Sequence, residues 1–340
     1  MTQSDSVFSG EYSMLNYLDP RNHITPLTEL HYLPGFSKTG VRVFIKDAPF
    51  KNIKTIPARH MLEQKRMAGK LEGVHTLIEC SSGGMASALA DLYRHYGIER
   101  FVAVIANDTA SGRKEELNMK GVSVVYENDI PESMSMTNYA RQQGRQSGWL
   151  NLDQYENTDN PESYEKWFAP QIYEQLCQSG LGNHPLIFCA PMGTCGTILG
   201  NGKYFKEHHP DCRVVGVKLA PGKRVPGIRD EDRLQRVGLY QKYIVKPMKI
   251  GSGCVVDELV SVETYSAYKR ALSVIHTGFD FGLSSGAGLE GGLTYLAKCK
   301  GREEVILVVI ALDGYKLYAT DKITTVLDGN EFINKVPPSI

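Results

Sequence analysis

The stretch LIFCAPMGTCGTILG, residues 186–200, places a short apolar run before a turn rich in glycine and hydroxyl groups. Residues 186–190 predict a buried strand, and apolar residues at helical spacing after Thr197 predict a helix. Glycines in the turn between them, residues 193–197, let backbone N–H groups converge beside the positive end of that helix. This arrangement suits a phosphate dianion, although a plain tight turn with a helix cap remains the alternative. No lysine follows the last glycine, so the pattern is not a P-loop.

Strands and helices alternate along most of the chain. Further runs of strand length begin near residues 41, 76, 101, 122, 213, 258 and 305, with helical patterns between most of them. The alternation predicts an α/β fold of two doubly wound units that join near residue 150. Ligands of such sheets bind at the carboxyl ends of the strands. Residues 221–253, rich in glycine, proline and charge, are expected to form a mobile loop.

The composition indicates a globular protein that binds small molecules. The 340 residues include 38 basic and 38 acidic side chains, so no charge excess favours a nucleic acid or an anionic membrane as partner. The seven cysteines never form a CxxC pair, which favours reduced thiols in a cytoplasmic protein over disulfides or a metal site. There is no run of about 18 apolar residues and no signal-peptide pattern. We therefore expect neither secretion nor a membrane span.

Three further segments place useful chemical groups at predicted strand ends. Residues 80–84, CSSGG, would bring hydroxyl groups and a helix start to a carboxylate, with a serine cap as the alternative. A lysine at position 46, 51 or 54 could supply an amine, although most lysines are solvated surface charges. Residues 282–288, GLSSGAG, form a second hydroxyl-bearing helix start. A phosphate site, a carboxylate site, an amine and a lone hydroxyl together indicate pyridoxal phosphate holding an amino acid.

In this order the segments resemble the motifs of the fold type II pyridoxal-phosphate enzymes, particularly the cysteine synthase and cystathionine β-synthase group. The spacing from Pro49 to Lys54 matches that family's Asn-Pro-x-x-Ser-x-Lys element and selects Lys54 over Lys46 and Lys51. The resemblance covers residues 24–320. The matching segments are TPL at 25–27, APFKNIK at 48–54, SSGGMA at 81–86, QYEN at 154–157, GTCGT at 193–197, SSGA at 284–287 and, near the end, Asp313, Gly314, Tyr315 and Tyr318.

The resemblance implies a role for each matching residue. Lys54 would bind the cofactor as a Schiff base and, once displaced by substrate, remove the α-proton. Ser284 would meet the pyridine nitrogen, and Gly84 would stand beside the cofactor's phenolic oxygen. The residues implied to hold the phosphate are Gly193, Thr194, Cys195, Gly196 and Thr197. The residues implied to line the substrate site are Ser81, Ser82, Gly83, Met85 and Gln154.

The resemblance also implies a domain arrangement and a reaction. The cofactor would lie in the cleft between a smaller domain, residues 46–150, and a larger domain, residues 1–45 with 151–340. The expected reaction is β-replacement on an activated serine or cysteine derivative through an aminoacrylate, with a sulfur or amine nucleophile. A lyase that stops after β-elimination is the alternative. The family is usually dimeric, so a homodimer with small amino-acid substrates is expected.

Four positions depart from the family pattern. Gly84 replaces an asparagine that would donate to the phenolic oxygen, and Met85 replaces a hydroxyl beside the carboxylate site. Asn52 replaces a serine, and Cys195 replaces a glycine. Backbone groups supply most phosphate donors, so cofactor binding should survive these changes. The departures point instead to an altered substrate range or to a pseudoenzyme that binds a metabolite or a partner.

Overall fold

The computed structural model describes residues 15–107, 109–209, 211–246, 249–250, 253–299 and 304–315, so Tyr318 lies outside the described residues. The strands are β1 (Leu27–Glu29), β2 (Val41–Asp47), β3 (Thr76–Ser81), β4 (Arg100–Ile105), β5 (Ser123–Tyr126), β6 (Trp149–Asn151), β7 (Leu186–Pro191), β8 (Cys212–Leu219), β9 (Lys249–Ile250), β10 (Gly253–Cys254), β11 (Glu258–Val262) and β12 (Val305–Ala311).

The helices are α1 (Thr55–Met67), α2 (Gly84–Leu92), α3 (Ser111–Met119), α4 (Met136–Gln143), α5 (Asp159–Trp167), α6 (Ala169–Gln178), α7 (Gly196–His208), α8 (Glu231–Leu234), α9 (Gly238–Tyr240), α10 (Thr264–Ile275) and α11 (Leu283–Lys298). Short 3-10 helices cover Pro20–Asn22, Pro49–Lys51, Tyr93–Tyr96 and Glu127–Asp129, and a π-helix covers Gln241–Val245. None of the described helices is both long and apolar enough to cross a membrane.

The larger sheet has six strands in the order β1-β2-β12-β7-β8-β11. All neighbours are parallel except the edge strand β1, which is antiparallel to β2. The sequence VILVVIA of β12 is buried at every position, as expected of a central parallel strand covered on both faces. Alternate residues of β7 enter separate cores: Phe188 lies in one and Ile187 in the other. Both faces of this sheet are therefore packed.

The smaller sheet has four parallel strands in the order β5-β4-β3-β6. The sequence indicated only a crossing segment at residues 149–152, but Trp149–Asn151 pairs with β3 as an edge strand. A run of three residues is too short for its periodicity to reveal a strand. Ile78 and Val102 of this sheet share a core with residues of the larger sheet. The predicted α/β class with two parallel-stranded units is confirmed.

The carboxyl ends of strands from both sheets meet at one cavity. Its wall includes Ser81 at the end of β3, Ala106 after β4, Pro191 at the end of β7 and Leu312 after β12. This position agrees with the site expected for parallel sheets. Residues 221–253, expected as an irregular loop, contain α8, α9 and the π-helix, and residues 222–229 cover one side of the cavity. The fold thus brings most of the predicted site segments together.

Candidate active site

The cavity has a volume of about 700 Å³ and is open to solvent on one side. It collects the glycine turn (residues 193–197), the serine loop (residues 81–85), Lys54, Gln154 and Ser284. Of the predicted site residues, Gly83 and Gly196 do not line the cavity directly and instead shape the loops beside it. Within the described residues, no group of three or more His, Cys, Asp and Glu side chains is placed to hold a metal ion.

Lys54 immediately precedes helix α1, and its side chain extends into the cavity. Its Nζ donates a hydrogen bond of 3.1 Å to Thr194 Oγ1 in the glycine turn. Burial lowers the pKa of this amine to about 8, and the acidic groups of Cys195 and Glu79 oppose the shift only in part. A substantial fraction of the amine is therefore neutral near pH 8, and the neutral form is the one that attacks a carbonyl group.

The glycine turn is tightly built and leaves its helix uncapped. Cys195 adopts a left-handed backbone with φ +68°, and as the N-cap residue of helix α7 it makes no side-chain capping hydrogen bond. A Cβ on Gly193 would lie 2.2 Å from the carbonyl oxygen of Gly227, and one on Gly196 would lie 2.0 Å from Asn160 Oδ1. Only glycine fits at either position. The first-turn N–H groups have no partner within the helix, and together with the helix dipole they favour an anion.

Cys195 keeps the turn's geometry despite its side chain. Burial raises the pKa of its thiol to about 12, while Arg229 and Lys54 oppose the shift in part. The thiol is therefore neutral at physiological pH, and it does not compete with Lys54 as a nucleophile. The departure from glycine at this position is tolerated because the side chain is buried in the core, 2% exposed, behind the turn.

The serine loop is closed by its own first residue. Ser81 Oγ accepts hydrogen bonds from the N–H groups of Gly83 at 3.0 Å and Ala86 at 3.1 Å. Gly83 has φ +114°, and a Cβ there would lie 3.0 Å from Arg113 Cγ. Ser82 is exposed on the cavity wall, whereas the Met85 side chain is buried. The acceptor positions of Ser81 Oγ are thus filled, and Ser82 is the loop hydroxyl that is exposed on the cavity wall.

Asn52 joins Lys54 to the serine loop. Its Oδ1 accepts the N–H of Lys54 at 3.1 Å, and its Nδ2 donates to the carbonyl of Gly84 at 2.9 Å. A Cβ on Gly84 would approach Lys54 Cγ at 3.3 Å and Asn52 Oδ1 at 3.5 Å. Two of the positions that depart from the family pattern, 52 and 84, are therefore in direct contact, and glycine at 84 leaves room for the lysine stem.

Two further predicted residues line the cavity. Ser284, in the first turn of α11, donates a long hydrogen bond of 3.4 Å to Asp313 Oδ1. Gln154 Nε2 donates to the carbonyl of Cys80 at 2.8 Å, and its Oε1 has no partner among the described residues. Both side chains are buried but border the cavity, so a ligand there is within their reach.

The sequence did not reveal three residues of this site. Asn160 lies behind the glycine turn, Tyr155 lines the cavity, and the guanidinium of Arg229 lies over the Tyr155 ring at 4.8 Å. Asn160 opens a helix and precedes a proline, so it reads as an ordinary cap. Arg229 falls in the stretch whose shape could not be read from its composition. Only Tyr155 carried a signal, because it belongs to the QYEN segment.

These groups define a site for a phosphorylated carbonyl compound. A buried amine of lowered pKa lies beside an uncapped helix start, and a serine hydroxyl borders the same cavity. Pyridoxal phosphate offers an aldehyde, a phosphate and a ring nitrogen, so the residues present fit it. The chain belongs to the family described as pyridoxal-phosphate dependent enzyme, whose model matches residues 20–311. The predicted family and cofactor are confirmed.

Individual relatives and solved structures agree with this assignment. Cysteine synthase B of Pseudomonas aeruginosa is 30% identical over 211 residues, covering 60% of this chain and 67% of that protein. Cysteine synthase B of Escherichia coli K12 is 24% identical over 294 residues, covering 85% and 89%. A hydrogen sulfide-producing enzyme from Fusobacterium nucleatum superposes with a TM-score of 0.75 at 21% identity and covers 92% of each chain. An O-ureido-L-serine synthase has a TM-score of 0.72 at 20% identity and covers 96% of each. These structures share the fold.

Proposed function

We propose that this enzyme carries out β-replacement on an activated serine or cysteine derivative, in a cysteine-synthase-like reaction. The observation that carries the proposal is the buried amine of Lys54 3.1 Å from the hydroxyl of Thr194 in an uncapped, glycine-lined turn. Pyridoxal phosphate, when bound, supplies an electron-withdrawing ring that allows a β-substituent to leave an amino acid. Similarity to two cysteine synthases over much of the chain supports the same reaction class.

Each side chain then has a proposed task. Lys54, with an amine pKa of about 8, binds the cofactor and afterwards takes the α-proton of the substrate. Ser284 meets the ring nitrogen, and Gly84 gives the ring room beside Lys54. The proposed phosphate ligands are the backbone and hydroxyl groups of Gly193, Thr194, Cys195, Gly196 and Thr197. The proposed substrate-binding residues are Ser81, Ser82, Gly83, Met85 and Gln154, the first of them through the loop that it shapes.

The reaction is tested with purified protein, pyridoxal phosphate and four donors: O-acetylserine, O-phosphoserine, serine and cysteine. With sulfide present we expect a thiol-containing amino acid from at least one oxygen-linked donor. The change Lys54→Arg should abolish turnover because it keeps the charge but removes the amine nucleophile. The matched control Lys51→Arg alters an exposed lysine paired with Asp47 and should remain active.

The alternative within the same class is β-elimination alone. It is distinguished by product: pyruvate and ammonia at the same rate with or without sulfide would assign a lyase. Replacement requires the acceptor to enter the product, and the elimination products should then fall as sulfide is added. No product from any donor, with cofactor bound, would overturn the proposed reaction.

The charges around the cavity favour a donor with an anionic leaving group. The cationic side chains on its wall belong to Lys54, Arg113, Lys223, Arg224, Arg229 and Arg233, and the acidic ones to Glu127 and Asp313. Arg113, Lys223 and Arg233 are each ion-paired, with Glu116, Glu263 and Asp230 respectively. Within the described part of the chain Arg229 has no carboxylate partner, only the ring and hydroxyl of Tyr155.

A half-buried guanidinium without a carboxylate partner favours an anion beside it. We therefore expect O-phosphoserine to be a better donor than O-acetylserine. The change Arg229→Met should lower kcat/KM for O-phosphoserine about 10-fold more than for O-acetylserine, the size expected for one charge-assisted hydrogen bond. Equal losses for both donors would contradict a role for Arg229 in recognising the leaving group.

The cellular setting belongs to the same proposal. All seven cysteines are free thiols, which is consistent with a reducing, cytoplasmic environment. A homodimer follows from the family resemblance, and the exposed ring cluster of Tyr17, His23 and Phe50 offers an apolar surface for such contact. Light scattering on the purified protein measures the mass directly, and a single-chain mass would contradict the dimer.

A further inference from the structure

Three polar groups meet at the hydroxyl of Thr194. Lys54 Nζ and Asn160 Nδ2 each lie 3.1 Å from Thr194 Oγ1. Asn160 is fully buried, and the same Nδ2 donates to the backbone carbonyl of Gln154 at 2.8 Å. Thr194 itself is 6% exposed and borders the cavity. The hydroxyl thus receives both donors and also borders the ligand space.

The orientation of the Asn160 carboxamide follows from its neighbours. A backbone carbonyl can only accept, so the Asn160 atom that faces Gln154 O must be the nitrogen. The same nitrogen faces Thr194, so Asn160 donates to the hydroxyl and does not accept from it. The carboxamide oxygen points to the start of α7, where a Cβ on residue 196 would lie 2.0 Å away. Glycine at position 196 therefore preserves this orientation.

The direction of the Thr194 proton follows in turn. A hydroxyl oxygen has two acceptor positions and one proton to donate. Asn160 fills one acceptor position and Lys54 fills the other, since an ammonium group can only donate. The proton must then point away from both, which is toward the cavity. Once Lys54 is neutral or bonded to a ligand, Asn160 still fills its acceptor position, so the proton cannot turn toward Asn160.

We infer that Asn160 is a positioning residue that holds the hydroxyl proton of Thr194 toward the cavity, where it donates to the phosphate of the bound cofactor. The inference rests on the proposed phosphate role of residues 193–197. It adds a residue outside the turn and outside the cavity wall, and it states which atom of the turn donates. Helix α5 begins at Asp159 with Thr158 as its N-cap residue and no side-chain capping hydrogen bond, so capping does not account for the buried Asn160 side chain.

The test measures dissociation constants of the apoprotein for pyridoxal phosphate and for pyridoxal, which lacks the phosphate. Asn160→Ala should weaken the binding of pyridoxal phosphate about 10-fold, the value of one hydrogen bond to a charged group. It should weaken the binding of pyridoxal less than about 2-fold. Asn160→Asp should weaken pyridoxal phosphate further, because a carboxylate accepts the Thr194 proton and turns it from the cavity. The control is Ser163→Ala, which removes a buried hydroxyl of α5 that donates to the backbone carbonyl of Asn160 at 2.6 Å. It should leave the ratio of the dissociation constants for pyridoxal phosphate and pyridoxal unchanged.

A double-mutant cycle decides whether Asn160 acts through Thr194. In the Thr194→Val background, Asn160→Ala should cause no further loss of phosphate-dependent affinity. The inference is overturned if Asn160→Ala weakens the binding of pyridoxal phosphate equally in both backgrounds. It is also overturned if the substitution weakens the binding of pyridoxal as much as that of pyridoxal phosphate. Wild-type protein that binds pyridoxal phosphate with this pattern but has no β-replacement activity would refute the proposed reaction and leave the inference standing. Thermal unfolding of each apoprotein shows that the variants fold.

Discussion

Two helices begin at the same cavity but differ in what satisfies their first N–H groups. At the serine loop, Ser81 Oγ accepts the N–H groups of Gly83 and Ala86, so the chain closes this helix start itself. At the glycine turn, Cys195 has a left-handed backbone and makes no capping hydrogen bond, and no other side chain of the described residues accepts the first N–H groups of α7. The uncapped start is the one that lies beside the Lys54 amine.

The same element, a helix start at the cavity, therefore serves two purposes in this fold. A capped helix start is stabilised by the chain's own side chains, which accept its first N–H groups. An uncapped, glycine-lined start leaves donors for a ligand and loses stability without one. Both segments have the small residues that first suggested ligand sites, so composition alone does not separate them. The hydrogen bonds of Ser81 do.

The largest effect should come from adding a methyl group at the uncapped start. In Gly196→Ala the new Cβ would lie 2.0 Å from Asn160 Oδ1, which must move. We expect a loss of about 1–3 kcal/mol in unfolding free energy and a fall in cofactor affinity. The matched change Gly84→Ala meets Lys54 Cγ at 3.3 Å, a contact that the flexible lysine stem can relieve, so its cost should stay below about 1 kcal/mol. Urea unfolding with cofactor titration measures both, and equal costs would contradict the comparison.

The next prediction concerns the start of α2, where Ser81 accepts two N–H groups. Ser81→Ala removes an acceptor from two N–H groups and should cost about 1–2 kcal/mol in the unfolding free energy of the apoprotein. Cofactor affinity should change little, because the loop shapes the substrate side of the cavity. Ser82→Ala is the control, since that side chain is exposed. A Ser81→Ala protein of unchanged stability would show that the cap does not hold the loop.

A smaller effect is expected from a simple anion. Inorganic phosphate at tenfold its dissociation constant should stabilise the apoprotein by about 1.4 kcal/mol, and chloride at equal ionic strength should not. Ser81→Ala should respond to phosphate as the wild type does, because its uncapped turn is intact. Gly196→Ala should lose the response. The shift in melting temperature on adding phosphate measures this response. If Ser81→Ala lost the response and Gly196→Ala kept it, the anion would bind at the start of α2 and not at the start of α7.

A further effect concerns pH. Burial lowers the pKa of Lys46 to about 8 from 10.5; its Nζ donates to Gln175 Oε1 at 2.8 Å, and no acidic side chain among the described residues accepts from it. Between these values the unfolded chain binds more protons than the folded one, so stability rises with pH from about 8 to 10.5. Lys46→Met should remove its share of that rise, while Lys54, whose pKa is also about 8, keeps its own share. The control Lys51→Met removes an exposed lysine, and an equal flattening by both variants would contradict the assignment to Lys46.

Local signals carried most of the fold and part of the site. The apolar runs of β7 and β12 are properties of short segments, so the sequence alone predicted them. The choice of Lys54 over Lys46 and Lys51 came from the resemblance to the family's proline-to-lysine spacing. Asn160 and Arg229 could not be found in this way. Asn160 meets Thr194 across 34 positions, and Arg229 reaches Tyr155 only because residues 222–229 fold over the cavity. Such pairs depend on tertiary packing, which no local pattern records.

The most direct measurement traps the cofactor on the residue that binds it. Apoprotein is mixed with pyridoxal phosphate, reduced with borohydride and digested, and the modified peptide is identified by mass spectrometry. The account predicts modification at Lys54, suppressed by excess inorganic phosphate that competes for the glycine turn. Lys46 shares a pKa of about 8 but is buried against Gln171 and Gln175 away from the cavity. Modification at Lys46 or Lys51, or at Lys54 without any effect of phosphate, would contradict the account.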